Sequence, residues 1–267
     1  MTLNARIATA LGADVTDLSP LQGGDLSRVE VATLSDGRRV VAKSGPRVEA
    51  EARMLKALAL AGAAVPEVLH AEPGLMLLTH LPETRPEGAA WTTAGHMLRQ
   101  LHDHTAATPG WPEDYAFGAM PIPNAPADDW PTFWSDRRLL AAPEAQPPDL
   151  ARRIEALCTR LPDMLPAVPA LSLLHGDLWS GNLLFGPGST VHLIDPACYH
   201  GHAEVDLAML HLFGRPGAGF AEAYGPLDPG WESRRAVYTL WPALVHLHNF
   251  GATYRPMVEQ LLRDLGF

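Results

Sequence analysis

Asp177, Asn182 and Asp195 sit in two short stretches, LLHGDLWSGNLLF (Leu173–Phe185) and VHLIDPA (Val191–Ala197). The second and third follow Asp177 by five and eighteen residues. Each lies beside an apolar run that can serve as a rigid strand, so their geometry can be fixed. That combination suits phosphoryl transfer. One carboxylate can orient an attacking hydroxyl and accept its proton, while a carboxamide and a second carboxylate hold Mg2+ against nucleotide phosphates. Mg2+ favours hard oxygen donors and takes few of them from protein. Taken alone, Asp177 reads as a turn-capping residue and Asn182 as the turn residue after Gly181. The three together favour the chemistry.

The elements that must position these residues divide into two groups. Residues 3–12 carry Leu3, Ile7, Ala8 and Leu11 at helical spacing, with Gly12 as a stop. Strand-like runs follow around Leu18–Leu21, Arg28–Leu34 and Arg38–Lys43, the last two joined by a Ser35-Asp36-Gly37 turn. Val48–Gly62 has an apolar face of Ala50, Met54, Leu55, Leu58 and Ala61, which predicts an amphipathic helix. Two further strands are expected at Glu67–Ala71 and Leu75–Leu81. The linker PETRPEG (Pro82–Gly88) interrupts helix and strand alike. Beyond it, helices are expected at Trp91–His104, Trp130–Leu140 and Leu150–Leu161, from about Ala203, and twice between Trp231 and Leu265. The Pro-rich stretch Trp111–Pro131 reads as a loop. The pattern alone gives an α+β chain, and the expected division is residues 1–81, a linker at 82–89, and residues 90–267.

With 267 residues the chain can bury a substantial core. A net charge of −10 argues against an extended nucleic-acid surface. No apolar run reaches the length of a membrane span, and the first residues lack a signal-peptide core. A cytoplasmic location is therefore expected, with Cys158 and Cys198 reduced. Gly23, Gly24 and Ser27 lie in a turn where bare backbone could approach phosphates. A plain hairpin turn would look the same. Pairs such as His200 and His202, or His246 and His248, have the H-x-H spacing of metal ligands, but hydrogen bonding is the expected role.

The Asp–Asn–Asp spacing is similar to the protein-kinase catalytic loop, with Gly176 replacing the middle residue of HRD and DPA standing for DFG. HGD resembles the small-molecule branch of that fold, which includes aminoglycoside and choline kinases. Trp179 and Ser180 narrow the match: HGDLWSGN, DDWPTFWSDRRL (Asp128–Leu139), DPACYHGHAEVDLAMLHLFG and VHLHNFG (Val245–Gly251) resemble segments of the fructosamine (ketosamine) kinase family, in that family's order. The resemblance implies a bilobal protein-kinase-like α+β fold, with a small antiparallel sheet lobe and a larger helical lobe. It implies ATP and Mg2+ as cofactors and Asp177 as catalytic base, with Asn182 and Asp195 as metal ligands. Lys43 would contact phosphates and pair with Glu51 rather than Glu49. His80 and Leu81 would belong to the adenine-binding hinge, and Gly23, Gly24 and Ser27 to the phosphate loop. QGGD lacks the cysteine of the family's GGGC-like loop, so thiol-dependent behaviour should be absent there. Asp206 would brace the catalytic loop and His175 organise it.

The implied reaction is phosphorylation of the sugar part of ketosamines, free or protein-bound, classically at the 3-hydroxyl, which leads to deglycation. Trp179, Tyr199 and His248 are the expected acceptor contacts; Trp130 and Trp134 fit core positions better. A kinase for another hydroxyl compound, of aminoglycoside, choline or thiosugar type, is the alternative. A scaffold without activity would gain nothing from the complete set of Lys43, Glu51, Asp177, Asn182 and Asp195. The sequence leaves the oligomeric state and the choice of ATP over GTP open.

Overall fold

A five-stranded antiparallel sheet occupies the first third of the chain in this computed structural model, which describes residues 1–21, 28–142 and 146–267. Helix α1 (Leu3–Leu11) leads into β1 (Val15–Pro20), β2 (Arg28–Leu34) and β3 (Arg39–Ser44). Helix α2 (Val48–Leu60), β4 (Val68–Glu72) and β5 (Leu75–Thr79) complete it, in the order β1-β2-β3-β5-β4. β5 is enclosed because its residues alternate between two buried layers. Leu75 and Leu77 pack with Ile7 of α1, while Met76 and Leu78 pack with Val48, Ala52 and Leu55 of α2. The sheet is thus held between the two helices. The turn with Gly23, Gly24 and Ser27 lies outside the described residues.

No regular element occupies residues 80–87. The rest is mainly helical: α3 (Ala90–His102), α4 (Trp130–Trp134), α5 (Pro148–Cys158), α6 (Leu161–Met164), α7 (Glu204–Leu210), α8 (Phe220–Tyr224), α9 (Trp231–Phe250) and α10 (Arg255–Asp264). Short strands β6 (Thr105–Ala106), β9 (Leu171–Leu174) and β12 (Tyr199–His202) form one small sheet, with β9 in its centre. β10 (Leu183–Gly186) and β11 (Thr190–Leu193) form a hairpin.

Two segments depart from expectation. The Pro-rich stretch expected as a loop contains a hairpin of β7 (Tyr115–Phe117) and β8 (Met120–Ile122). Its Pro121 interrupts no larger ladder because the hairpin has only two strands. The helix expected over Trp130–Leu140 widens after α4 into a π-helix at Ser135–Leu139. Arg138 in that wide turn points inward and is fully buried. Its guanidinium donates to the carbonyl of Pro123 (2.8 Å) and to Asn124 Oδ1 (2.9 Å), fastening the segment after the hairpin to the core.

Cys158 and Cys198 are free thiols. Among the described residues, no helix is long and apolar enough to cross a membrane.

Candidate active site

Strand β9, buried along its whole length, leads through the buried His175 to Gly176 and Asp177, which line a cleft. Gly176 has φ +81°, and a Cβ there would stand 2.0 Å from the carbonyl oxygen of Ala197. Any side chain would push the loop off the segment that follows Asp195, which is why glycine stands between the His and the Asp. The loop is fixed from behind by Asp206, in the first turn of α7. Its fully buried carboxylate accepts from the backbone N–H of His175 (2.7 Å) and of Gly176 (2.9 Å). His102 Nε2 lies 3.2 Å from the same carboxylate. Asp206 therefore clamps the loop rather than capping its own helix. His175 donates from Nε2 to the Ile194 carbonyl (2.9 Å), and its Nδ1 accepts from the Asp177 N–H (3.2 Å). Burial lowers its pKa and keeps the ring neutral, as those two bonds require.

Asp177 is half-buried. Burial pushes its carboxyl up to about 7; the amide of Asn182 opposes the rise, and the Asp195 and Asp206 carboxylates add to it. Asn182 Nδ2 donates to the Asp177 carbonyl (2.7 Å) and to Asp177 Oδ2 (3.0 Å). These bonds occupy its amide nitrogen and leave Oδ1 for another partner.

Asp195 follows β11 with φ +54°, a left-handed conformation that Asp and Asn adopt more readily than most residues. Lys43, on β3, reaches it across the cleft: Nζ lies 2.8 Å from Glu51 Oε1 and 2.9 Å from Asp195 Oδ1. Burial alone would lower the Lys43 pKa, but the two carboxylates outweigh it and keep the ammonium charged. The pairing is possible because α2 docks on the catalytic segment. Cys198 N–H meets Met54 Sδ at 3.3 Å, and Leu193 N–H donates to the Ala64 carbonyl at 2.8 Å.

These residues line one cleft of about 1050 Å³. Val41, Leu78, His80 and Leu81 line it together with Lys43, while Trp179 lines it beside Asp177. Asn182 Oδ1 and the half-exposed Asp195 carboxylate are hard oxygen donors on the same cleft, a set that fits Mg2+.

Two expected acceptor contacts are placed elsewhere. Tyr199 is buried beneath the loop, its ring 4.0 Å from the Arg138 guanidinium and stacked on Phe133. It supports Gly176 from below, because strand alternation and the pairing of β12 with β9 turn it inward. His248 does not line the cleft; His246 and Asn249 do. Residues two apart on a helix point to nearly opposite sides, so only one histidine of H-x-H can face the cavity. Asn249 Nδ2 also donates to the Phe117 carbonyl (3.2 Å), tying the unexpected hairpin to α9. Tyr115 and Phe117 of that hairpin, and Phe213 after α7, are cleft residues the sequence reading missed. Trp130 and Trp134 are core residues. His202, Glu204 and Asp228 bring three ligand atoms within 4.8 Å of one another, but Arg234 already pairs with Glu204 (2.7 Å).

The fructosamine kinase family model matches residues 2–266 of the chain. A protein named "Probable ketoamine kinase" from Thermus thermophilus is 39% identical over 251 residues, 88% of each chain. One of the same description from Synechocystis sp. is 36% identical over 200 residues. That alignment takes in 71% of this chain and spans 66% of the Synechocystis protein. A crystal structure from Thermobifida fusca, described as a "putative fructosamine-3-kinase", matches with a TM-score of 0.89 at 30% identity, covering 99% of this chain and 98% of that one. At 14% identity, a choline kinase from Streptococcus pneumoniae shares the fold, with a TM-score of 0.67 over 99% of this chain and 97% of its own. A sheet-bearing N-terminal part, a helical C-terminal part and this match over almost every residue lead to one conclusion: the chain belongs to the fructosamine kinase family, with a protein-kinase-like fold.

Proposed function

We propose that this protein transfers the γ-phosphoryl group of ATP to the sugar of ketosamines, at the 3-hydroxyl of fructosamine- or ribulosamine-type adducts. The product then breaks down and frees the amine. The observation that carries this reading is the meeting of Lys43, Asp177, Asn182 and Asp195 in one cleft, in a chain of this family. Asp177 orients the hydroxyl and takes its proton as the new P–O bond forms. Its raised pKa makes it a better base than an ordinary carboxylate. Asn182 and Asp195 would hold Mg2+, which when bound neutralises charge on the phosphates. Lys43, held by Glu51, adds a fixed cation on the nucleotide side. Residues 1–81 serve as the nucleotide lobe, 82–89 as the hinge with His80 and Leu81 at its edge, and 90–267 as the catalytic and acceptor lobe. The free thiols accord with a reducing, cytoplasmic setting.

A polycationic acceptor such as an aminoglycoside fits less well. Among the described residues lining the cleft, the only carboxylates are Glu51, Glu83, Asp177 and Asp195. Glu51 is spent on Lys43, and Glu83 lies in the hinge. The wall around Trp179, Phe213, Trp241 and His246 carries none. The test is Mg2+-dependent ATP consumption with fructosyl-lysine, ribulosyl-lysine, free sugars, an aminoglycoside and choline. Turnover confined to the ketosamines is expected; turnover of the aminoglycoside or choline alone would replace this reading with the alternative.

A further inference from the structure

Four aromatic rings continue the cleft outward from Trp179. Trp179 meets Phe213 edge-to-face (centroids 6.1 Å apart), and Phe213 meets His246 at 4.9 Å. His246 in turn contacts Phe250 (5.4 Å) and Tyr254 (5.0 Å), so the rings form one connected surface. All five residues line the same cavity as Asp177. They come from three places in the chain: the catalytic loop, the segment after α7, and the end of α9 with the turn that follows. His246 and Phe250, four residues apart on α9, share one side of that helix.

Trp179, Phe213 and Phe250 remain 38%, 44% and 45% exposed. Large apolar rings exposed together cost free energy in water, and such patches mark binding surfaces. None of the five side chains is a carboxylate or a Lys or Arg. Burial lowers the pKa of His246, and its Nδ1–H is taken by the Pro242 carbonyl (2.7 Å), so the ring is neutral and turns no charge to the surface. A neutral aromatic surface accepts methylenes on its faces and tolerates an adjacent ammonium through cation–π attraction.

We infer that this aromatic shelf is the subsite for the amine half of the substrate, taking the apolar stem attached to the ketosamine nitrogen. The inference rests on the ketosamine kinase reading. With the sugar hydroxyl at Asp177, the nitrogen lies only a few bonds away beside Trp179, and its substituent runs along Phe213 toward Phe250 and solvent. The methylenes of an ε-lysyl adduct have the right chemistry, and the open outer end leaves room for the remainder of a peptide.

Fructosyl adducts of methylamine and of n-butylamine test this, because they share the sugar and the ammonium and differ only in the stem. The butylamine adduct should show kcat/KM about tenfold higher in the wild-type protein. Phe213→Ala and Phe250→Ala, each at a half-exposed ring, should bring that ratio down to about two or less. Equal kcat/KM for the two adducts in the wild type, or a ratio that both variants retain, would overturn the shelf while leaving the kinase activity standing. No turnover of either adduct would remove the kinase reading, and the shelf with it.

Discussion

Asp177→Asn is expected to lower kcat by about a thousandfold while changing ATP binding only a few-fold. The substitution is nearly isosteric. The new carboxamide oxygen can still accept from Asn182 Nδ2, as Asp177 Oδ2 does at 3.0 Å. The backbone bonds that hold the loop belong to His175, Gly176 and Asp206 and are untouched. What disappears is the capacity to take a proton at the moment the hydroxyl attacks. Steady-state kinetics with a ketosamine acceptor, together with nucleotide binding by calorimetry, separate the two effects. A variant keeping more than a tenth of wild-type kcat would take Asp177 out of the base role.

Asp195→Asn should have an effect of similar size by a different route. Position 195 sits at φ +54°, and Asn tolerates that conformation as readily as Asp, so the local backbone is preserved. The change removes one negative charge that faces both Lys43 and the proposed metal position. The half-saturating Mg2+ concentration should rise by about tenfold or more, and kcat should fall by about a hundredfold or more even at high Mg2+. An unchanged Mg2+ titration would show that Asp195 does not ligate the metal. The two variants thus differ in their signature: only the second should respond to added Mg2+.

The central residues were legible because Asp177, Asn182 and Asp195 lie within two short neighbouring stretches, where spacing along the chain constrains spacing in the cleft. Lys43 and Glu51 were legible for a related reason, being a strand end and the first turn of the next helix. The outer wall was not. The β7–β8 hairpin is hidden in a Pro-rich stretch whose turn residues suit loop and hairpin equally, and distant partners order it: the burial of Met120 and Ile122 in the core and the bonds of Arg138 to Asn124 and of Asn249 to Phe117. Tyr199 looked like a sugar-binding aromatic because residue type says nothing about facing. Its inward turn follows from pairing with β9, a strand too short to assign by periodicity. The choice of His246 over His248 depended on how α9 is rotated. The buried run Leu240, Trp241, Leu244 and Val245 shares its face with His248, which leaves His246 as the histidine that lines the cleft.

The ion pair at Lys43 also bears on what the protein does to itself. Reducing sugars form adducts with neutral, accessible amines, and this chain has only two lysines, Lys43 and Lys56. Lys56 is exposed on α2. Lys43 is 6% exposed and kept protonated between Glu51 and Asp195, so it is both sterically and chemically poor as a nucleophile. The Lys43 amine is therefore expected to stay unmodified in the presence of free sugars. Incubation with ribose followed by peptide mass mapping should find adducts at Lys56 and none at Lys43; adducts at Lys43 would mean that the pair opens often enough to expose it. A chain with two lysines, one of them locked in a buried ion pair, offers sugars few amines to modify.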